Sequence, residues 1–177
     1  MGNNNTYCQD NETSWLNWDL QEKGIHLLHY VQKLTALRHK FPILRRARFY
    51  TGTYNETLGV KDLTWINANG QEMWDEHWGD QGMRCFGMLM DGRAQRSGIQ
   101  KPGDNATLLL VINGHHDLVE FTLPESYGGD EWALMIDTNL EEDESLSVHK
   151  TGDVYGVTAR SLLLFALKSA NAQAGRY

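Results

Sequence analysis

Long apolar runs are missing from this sequence. The longest, Leu108 to Ile112 and Leu162 to Leu167, fall far short of the roughly 18 to 20 residues a membrane-spanning helix needs, so no helical crossing of a bilayer is expected. Basic residues are scarce: 16 Lys and Arg stand against 23 Asp and Glu, and only Arg45, Arg46 and Arg48 lie close together. The resulting net charge of -7 repels phosphate backbones and anionic lipid, which makes nucleic acid and membrane surfaces poor partners. Two cysteines, Cys8 and Cys85, are too few for a disulfide framework and read as reduced thiols. Residues 1 to 20 are polar and Asn-rich, with neither a basic start nor an apolar core. No secretory signal is expected there, and a cytoplasmic address follows by default. Asn-x-Ser/Thr triplets at Asn4, Asn11, Asn55 and Asn105 carry meaning only in a secreted protein and are given none.

What is present suits a folded chain, with 41% hydrophobic and 22% charged residues and a length that supports one full domain plus an appendage. Four Asn fall among the first eleven residues, favouring turns and local side-chain to backbone bonds. Asp19-Leu20-Gln21-Glu22 has capping-box spacing, which predicts a helix start at Asp19. Beyond it Leu27, Tyr30, Val31, Leu34, Leu37 and Phe41 recur at intervals of three and four, the spacing of one buried helical stripe. Pro42 ends the helix.

After Arg48, short β-branched and apolar runs alternate with Gly, Asn and Asp clusters, the rhythm of an all-β sandwich. Strands are expected at 49 to 54, 63 to 66, 85 to 90, 108 to 112, 119 to 123, 132 to 137, 154 to 158 and 161 to 167. Without crossover helices they should pair antiparallel. Asn113 to Asp117 reads as a hairpin turn, Met73 to Trp78 as one helical turn, and Asp91 to Asn105 and Glu141 to Ser145 as exposed loops. The fold class is therefore mainly β: a loop and one helix over 1 to 42, then an antiparallel β-sandwich over 43 to 177.

Glycoside hydrolysis usually needs two carboxyl groups flanking the bond, and Asp10 with Glu12 is the pair to test. Two apart on an extended segment, they point to the same side. The competing role, capping turns or accepting backbone amides, weighs more heavily in so Asn-rich a loop. The histidines His26, His29, His39, His77, His115, His116 and His149 lack metal-site spacing, so no metal is expected. No glycine-rich phosphate loop and no nucleophile elbow occurs, and no cofactor is expected. Of six Trp, Trp15 and Trp18 beside the polar loop are the candidates for stacking on sugar rings. Trp65, Trp74, Trp78 and Trp132 are expected to fill the sandwich core or its rim.

The run from Gly2 through Glu12, with Ser14-Trp15-Leu16 and Trp18, resembles the segment after the eighth barrel strand of bacterial glycogen debranching enzymes of the glycogen-operon and isoamylase type, in the alpha-amylase superfamily. The likeness continues through Leu34 to Arg38, Thr64-Trp65, Glu72 to Glu76 and Phe121 to Pro124. It implies that residues 1 to 42 are the end of a (β/α)8 catalytic barrel, its last loop and helix, and that 43 to 177 are the C-terminal sandwich. The family hydrolyses α-1,6 branch linkages with retention, through an Asp nucleophile, a Glu acid/base and a supporting Asp on earlier strands, so no residue here is expected to be catalytic. Glycogen or a branched α-glucan is the implied substrate. Because sites of such barrels lie at the C-terminal ends of the strands, Asn4, Asn5, Tyr7, Gln9, Asp10, Glu12 and Trp15 are the implied substrate contacts. The rival reading is a freestanding carbohydrate-binding sandwich. A helix stripe cut off from a barrel should also leave apolar surface bare, so self-association is expected.

Overall fold

The computed structural model describes residues 7–15, 17–94, 105–140 and 147–168. The chain divides into two compact units, Met1–His39 and Lys40–Tyr177.

The first unit holds a polar loop and helix α1 (Glu22–Lys40). The helix begins three residues after the predicted cap: the Gln21 carbonyl accepts the amides of Gly24 (2.8 Å) and Ile25 (3.1 Å). The Asp19 amide is drawn instead to the Asn17 side chain at 2.9 Å, a local turn that holds Asp19 outside the helix. The apolar periodicity is helical as expected, but the predicted burial is not found. Leu37 is the one buried residue of α1, whereas Leu27, Val31 and Leu34 are 62%, 47% and 37% exposed. Spacing dictates which residues share a helix face; whether that face is covered depends on a partner.

The second unit is mainly β. Among the described residues its strands are β1 (Tyr54–Asn55), β2 (Val60–Lys61), β3 (Leu63–Asn67), β4 (Cys85–Asp91), β5 (Thr107–Asn113), β6 (Val119–Thr122), β7 (Glu131–Asp137), β8 (Val148–Lys150), β9 (Val154–Val157) and β10 (Ser161–Lys168), with a one-turn helix α2 (Asp75–Trp78) between β3 and β4. A six-stranded sheet runs β3-β4-β5-β10-β7-β8, β6 pairs β9, and β1 pairs β2. Every pairing is antiparallel, as the lack of crossover helices implies. The predicted strand at 49 to 54 is mostly absent. Its backbone amides at Thr51 and Gly52 are taken by the Asp62 carboxylate, which competes with strand pairing. Strands β2 and β8 were not foreseen, being too short to show a period. Of the expected loops, residues 95–104 and 141–146 lie outside the described residues.

The core lies between the six-stranded sheet and the β6–β9 ribbon. Leu109, Val111, Leu163 and Phe165 from the sheet and Phe121 and Val157 from the ribbon join one cluster, all fully buried. Gly87 is required at the contact between them: a Cβ there would lie 2.9 Å from Phe121 Cζ. Trp132 is fully buried and donates Nε1–H to the Pro124 carbonyl at 3.0 Å.

The Asn113 to Asp117 segment is not a hairpin. Strand β5 lies beside β4 and β10 while β6 pairs β9, so the turn carries the chain from one layer to the other. Asn113, 1% exposed, latches this corner. Its Nδ2 donates to the carbonyls of Asp117 (3.1 Å), Val157 (3.1 Å) and Thr158 (2.9 Å), and its Oδ1 accepts the His115 amide at 2.8 Å. A turn signal read from sequence gives the reversal but not which sheet the next strand joins.

The other face of the six-stranded sheet is also apolar. Register puts Trp65, Met88 and Leu110 in one cross-strand row, and Phe86, Ile112 and Leu162 in the next. All six are only partly buried. A sandwich sheet with one face in the core would normally show polar residues here.

Candidate functional site

The polar loop is organised by its own side chains. Asn11 directs a tight turn: its carbonyl accepts the amides of Ser14 (2.9 Å) and Trp15 (3.0 Å), and its Oδ1 accepts the Thr13 amide at 3.0 Å. Ser14 Oγ donates to the Gln9 carbonyl at 2.8 Å, and Gln9 Oε1 accepts from Asn11 Nδ2 at 3.0 Å. Asp10 Oδ1 accepts the indole N–H of Trp15 at 2.8 Å. Of the residues implicated by sequence, Tyr7 is 85% exposed and Trp15 65% exposed, while Gln9, Asp10 and Glu12 are exposed as well. Asn4 and Asn5 lie outside the described residues. The loop thus brings Gln9, Asp10 and Trp15 together. Asp10 is engaged by an indole and open to water, so its geometric role is to position the Trp15 ring.

The aromatic residues divide differently from expectation. Trp132 fills the core and Trp65 is half-buried, but Trp74 and Trp78 are 66% and 50% exposed. The one-turn α2 between them offers too little covering surface to bury two indoles. Trp78 stands edge-on against Trp65, with centroids 5.4 Å apart and planes at 87°, and Trp65 meets Phe86 at 5.9 Å.

A second unforeseen feature is a cleft of about 470 Å³ between the 77–85 segment and the turn into β6, with Asn67, His77, Asp80, Arg84, His115 and Glu120 among its lining. Three chain segments supply these residues, so no local spacing announces them.

His115, His116 and Asp117 form the one group among the described residues whose ligand atoms gather closely enough to hold a cation, within 4.8 Å. Their hydrogen bonds serve the turn. His115 Nδ1 accepts the Asp117 amide at 3.1 Å, and His116 Nε2 lies 3.1 Å from Asp117 Oδ2. Both cysteines are free thiols; burial pushes the Cys85 thiol up to about 11, which keeps it protonated and unreactive at neutral pH.

Residues 62–166 match the family model described as isoamylase, C-terminal. The chain belongs to that family. Over 169 residues it is 37% identical to a glycogen operon protein GlgX homolog of Mycobacterium tuberculosis, covering 92% of this chain and 23% of that protein. An isoamylase of Flavobacterium sp is 29% identical over 178 residues, covering 95% and 22%. A glycogen debranching enzyme of Cronobacter sakazakii is 30% identical over 156 residues, covering 88% and 20%. The chain spans less than a quarter of the length of these curated relatives. The likeness read from the Asn-rich loop and from Glu72 to Glu76 is borne out, and so is the mainly β isoamylase C-terminal fold.

Proposed function

We propose that this chain is the supporting C-terminal part of a cytoplasmic enzyme that hydrolyses α-1,6-glucosidic branch linkages in glycogen or a related α-glucan, and that it is inactive by itself. On this reading residues 1 to 42 complete a (β/α)8 barrel and 43 to 177 brace it. The observation that carries the reading is unfinished burial. Helix α1 leaves Leu27, Leu28 and Val31 at 45% exposed or more, and the sheet face around Trp65, Met88, Leu110 and Ile112 is half-covered. Surfaces of this kind call for a partner, and a longer chain of which this is a minor share supplies one. The relatives named for glycogen debranching support the substrate class. Asn4, Asn5, Tyr7, Gln9, Asp10, Glu12 and Trp15 then shape the substrate cleft at the mouth of the barrel, with Asp10 fixing the Trp15 ring for stacking on a pyranose face. The nucleophile, the acid/base and the supporting carboxylate belong to upstream strands.

Reducing-end release from a branched limit dextrin tests this. Residues 1 to 177 should give background rates, and the longer enzyme carrying them should debranch. Release by residues 1 to 177, abolished by Asp10→Asn, would instead make the chain an autonomous hydrolase.

The bare helix face carries its own expectation. Light scattering on residues 1 to 177 should report concentration-dependent self-association, reduced by the double variant Leu28→Lys/Val31→Lys. A strict monomer at every concentration would contradict the unfinished-burial argument.

A further inference from the structure

The geometry points to a second α-glucan site on the sandwich itself: the cleft of about 470 Å³ lined by His77, Asp80, Arg84, His115 and Glu120. This rests on the proposed α-glucan substrate and adds a sugar contact remote in sequence from the Asn-rich loop. The volume falls within the roughly 300–1,000 Å³ that small-molecule sites occupy.

Two imidazoles in the cleft are preset. His77 Nδ1 accepts the Trp74 amide at 2.9 Å and His115 Nδ1 accepts the Asp117 amide at 3.1 Å. In the neutral ring an occupied Nδ1 lone pair places the proton on Nε2. Each ring therefore presents an N–H donor at the end away from its own loop. Arg84 Nη1 is held by the carbonyls of Gln81 and Met83, which fixes a planar fork of further donors. Asp80 spends Oδ1 on the Gly82 amide at 2.7 Å and retains Oδ2 as an acceptor, and Glu120 adds a second carboxylate.

One guanidinium, two carboxylates and two imidazoles give the lining both donors and acceptors. Asp80 and Glu120 disfavour a phosphate or other anion, and a lone cation would meet Arg84 and two imidazole N–H groups. A neutral ligand dense in vicinal hydroxyls satisfies all five groups. Met83, Leu118 and Val119, also in the lining, offer apolar surface to the C–H face of a pyranose.

Maltoheptaose is the probe. Titrated into residues 1 to 177, it should shift the proton–nitrogen correlation signals of residues 77, 84, 115 and 120. Arg84→Gln and Glu120→Gln should each weaken binding about tenfold, the scale of one charge-assisted hydrogen bond. Glu120 is exposed, so its variant keeps the fold and the comparison interpretable. Shifts confined to Tyr7 through Trp18, unchanged affinity in both variants, or no shift at millimolar maltoheptaose would overturn the site. If the longer enzyme debranches while the cleft stays silent, only this site falls; if it fails to debranch, the functional reading falls as well.

Discussion

Replacing Trp132 by Ala should lower the unfolding free energy of the sandwich by about 3–5 kcal/mol. The indole is the largest fully buried side chain of the protein and belongs to the cluster joining the sheet to the ribbon. Deleting it removes the transfer energy of the ring and leaves a cavity among β-sheet backbones that have little freedom to collapse. It also strips the Pro124 carbonyl of its N–H donor, at 3.0 Å in the native fold. A domain of this size is typically stable by about 5–15 kcal/mol, so the loss is a large share of the whole. Urea unfolding followed by circular dichroism measures it, and Trp132→Phe separates the two contributions, since it keeps most of the volume and loses the hydrogen bond. An unfolding free energy within about 0.5 kcal/mol of the parent for Trp132→Ala would remove Trp132 from the core.

Asp62→Ala should be comparably damaging, about 3–5 kcal/mol, for an electrostatic reason. Asp62 is 6% exposed, accepts the amides of Thr51 (3.1 Å) and Gly52 (2.9 Å) and pairs with Arg46 at 3.2 Å. The Arg46 side chain is only 12% exposed, and its Nε is buried without a hydrogen-bond partner. Once the carboxylate is gone, a guanidinium with little access to water loses its counter-charge while two amides lose their acceptor. The double variant Asp62→Ala/Arg46→Met should recover part of the loss, because it removes the stranded charge while keeping an apolar stem over the Tyr50 ring, which Arg46 covers at 4.1 Å. If the double variant were as unstable as the sum of the two singles, the pair would not be coupled. The same knot has a pH signature. Burial, partly offset by Arg46, holds the Tyr50 phenol above its ordinary 10.0. Its contribution to stability is therefore complete below that value and is lost as pH rises through the folded one.

These residues also mark what the amino-acid sequence makes legible. The long strands β4, β5, β7 and β10 follow from their apolar runs because local pattern and tertiary role agree there, whereas for α1 the spacing gives the helix but not the burial of its stripe. The missing strand at 49 to 54 follows from a carboxylate ten positions away that captures its amides, which no local pattern records. The corner at Asn113 reads as a turn in sequence, but its layer change depends on carbonyls 44 and 45 residues distant. Among candidate site residues, the Asn-rich loop is visible because its members are consecutive. The cleft of His77, Arg84, His115 and Glu120 is invisible because folding alone brings its three segments together. Trp74 and Trp78 look like core residues by type; only the shortness of α2 leaves them in solvent.

Strand β10 is the last strand among the described residues, yet it lies in the middle of the six-stranded sheet, with β5 on one side and β7 on the other. During synthesis the sheet cannot close until residues 161 to 168 have left the ribosome. Any product that stops short of them carries two long, greasy, unpaired borders instead of one continuous layer. Such borders are templates for pairing between chains, so premature termination even a few residues before Ser161 yields aggregation rather than a slightly smaller folded protein.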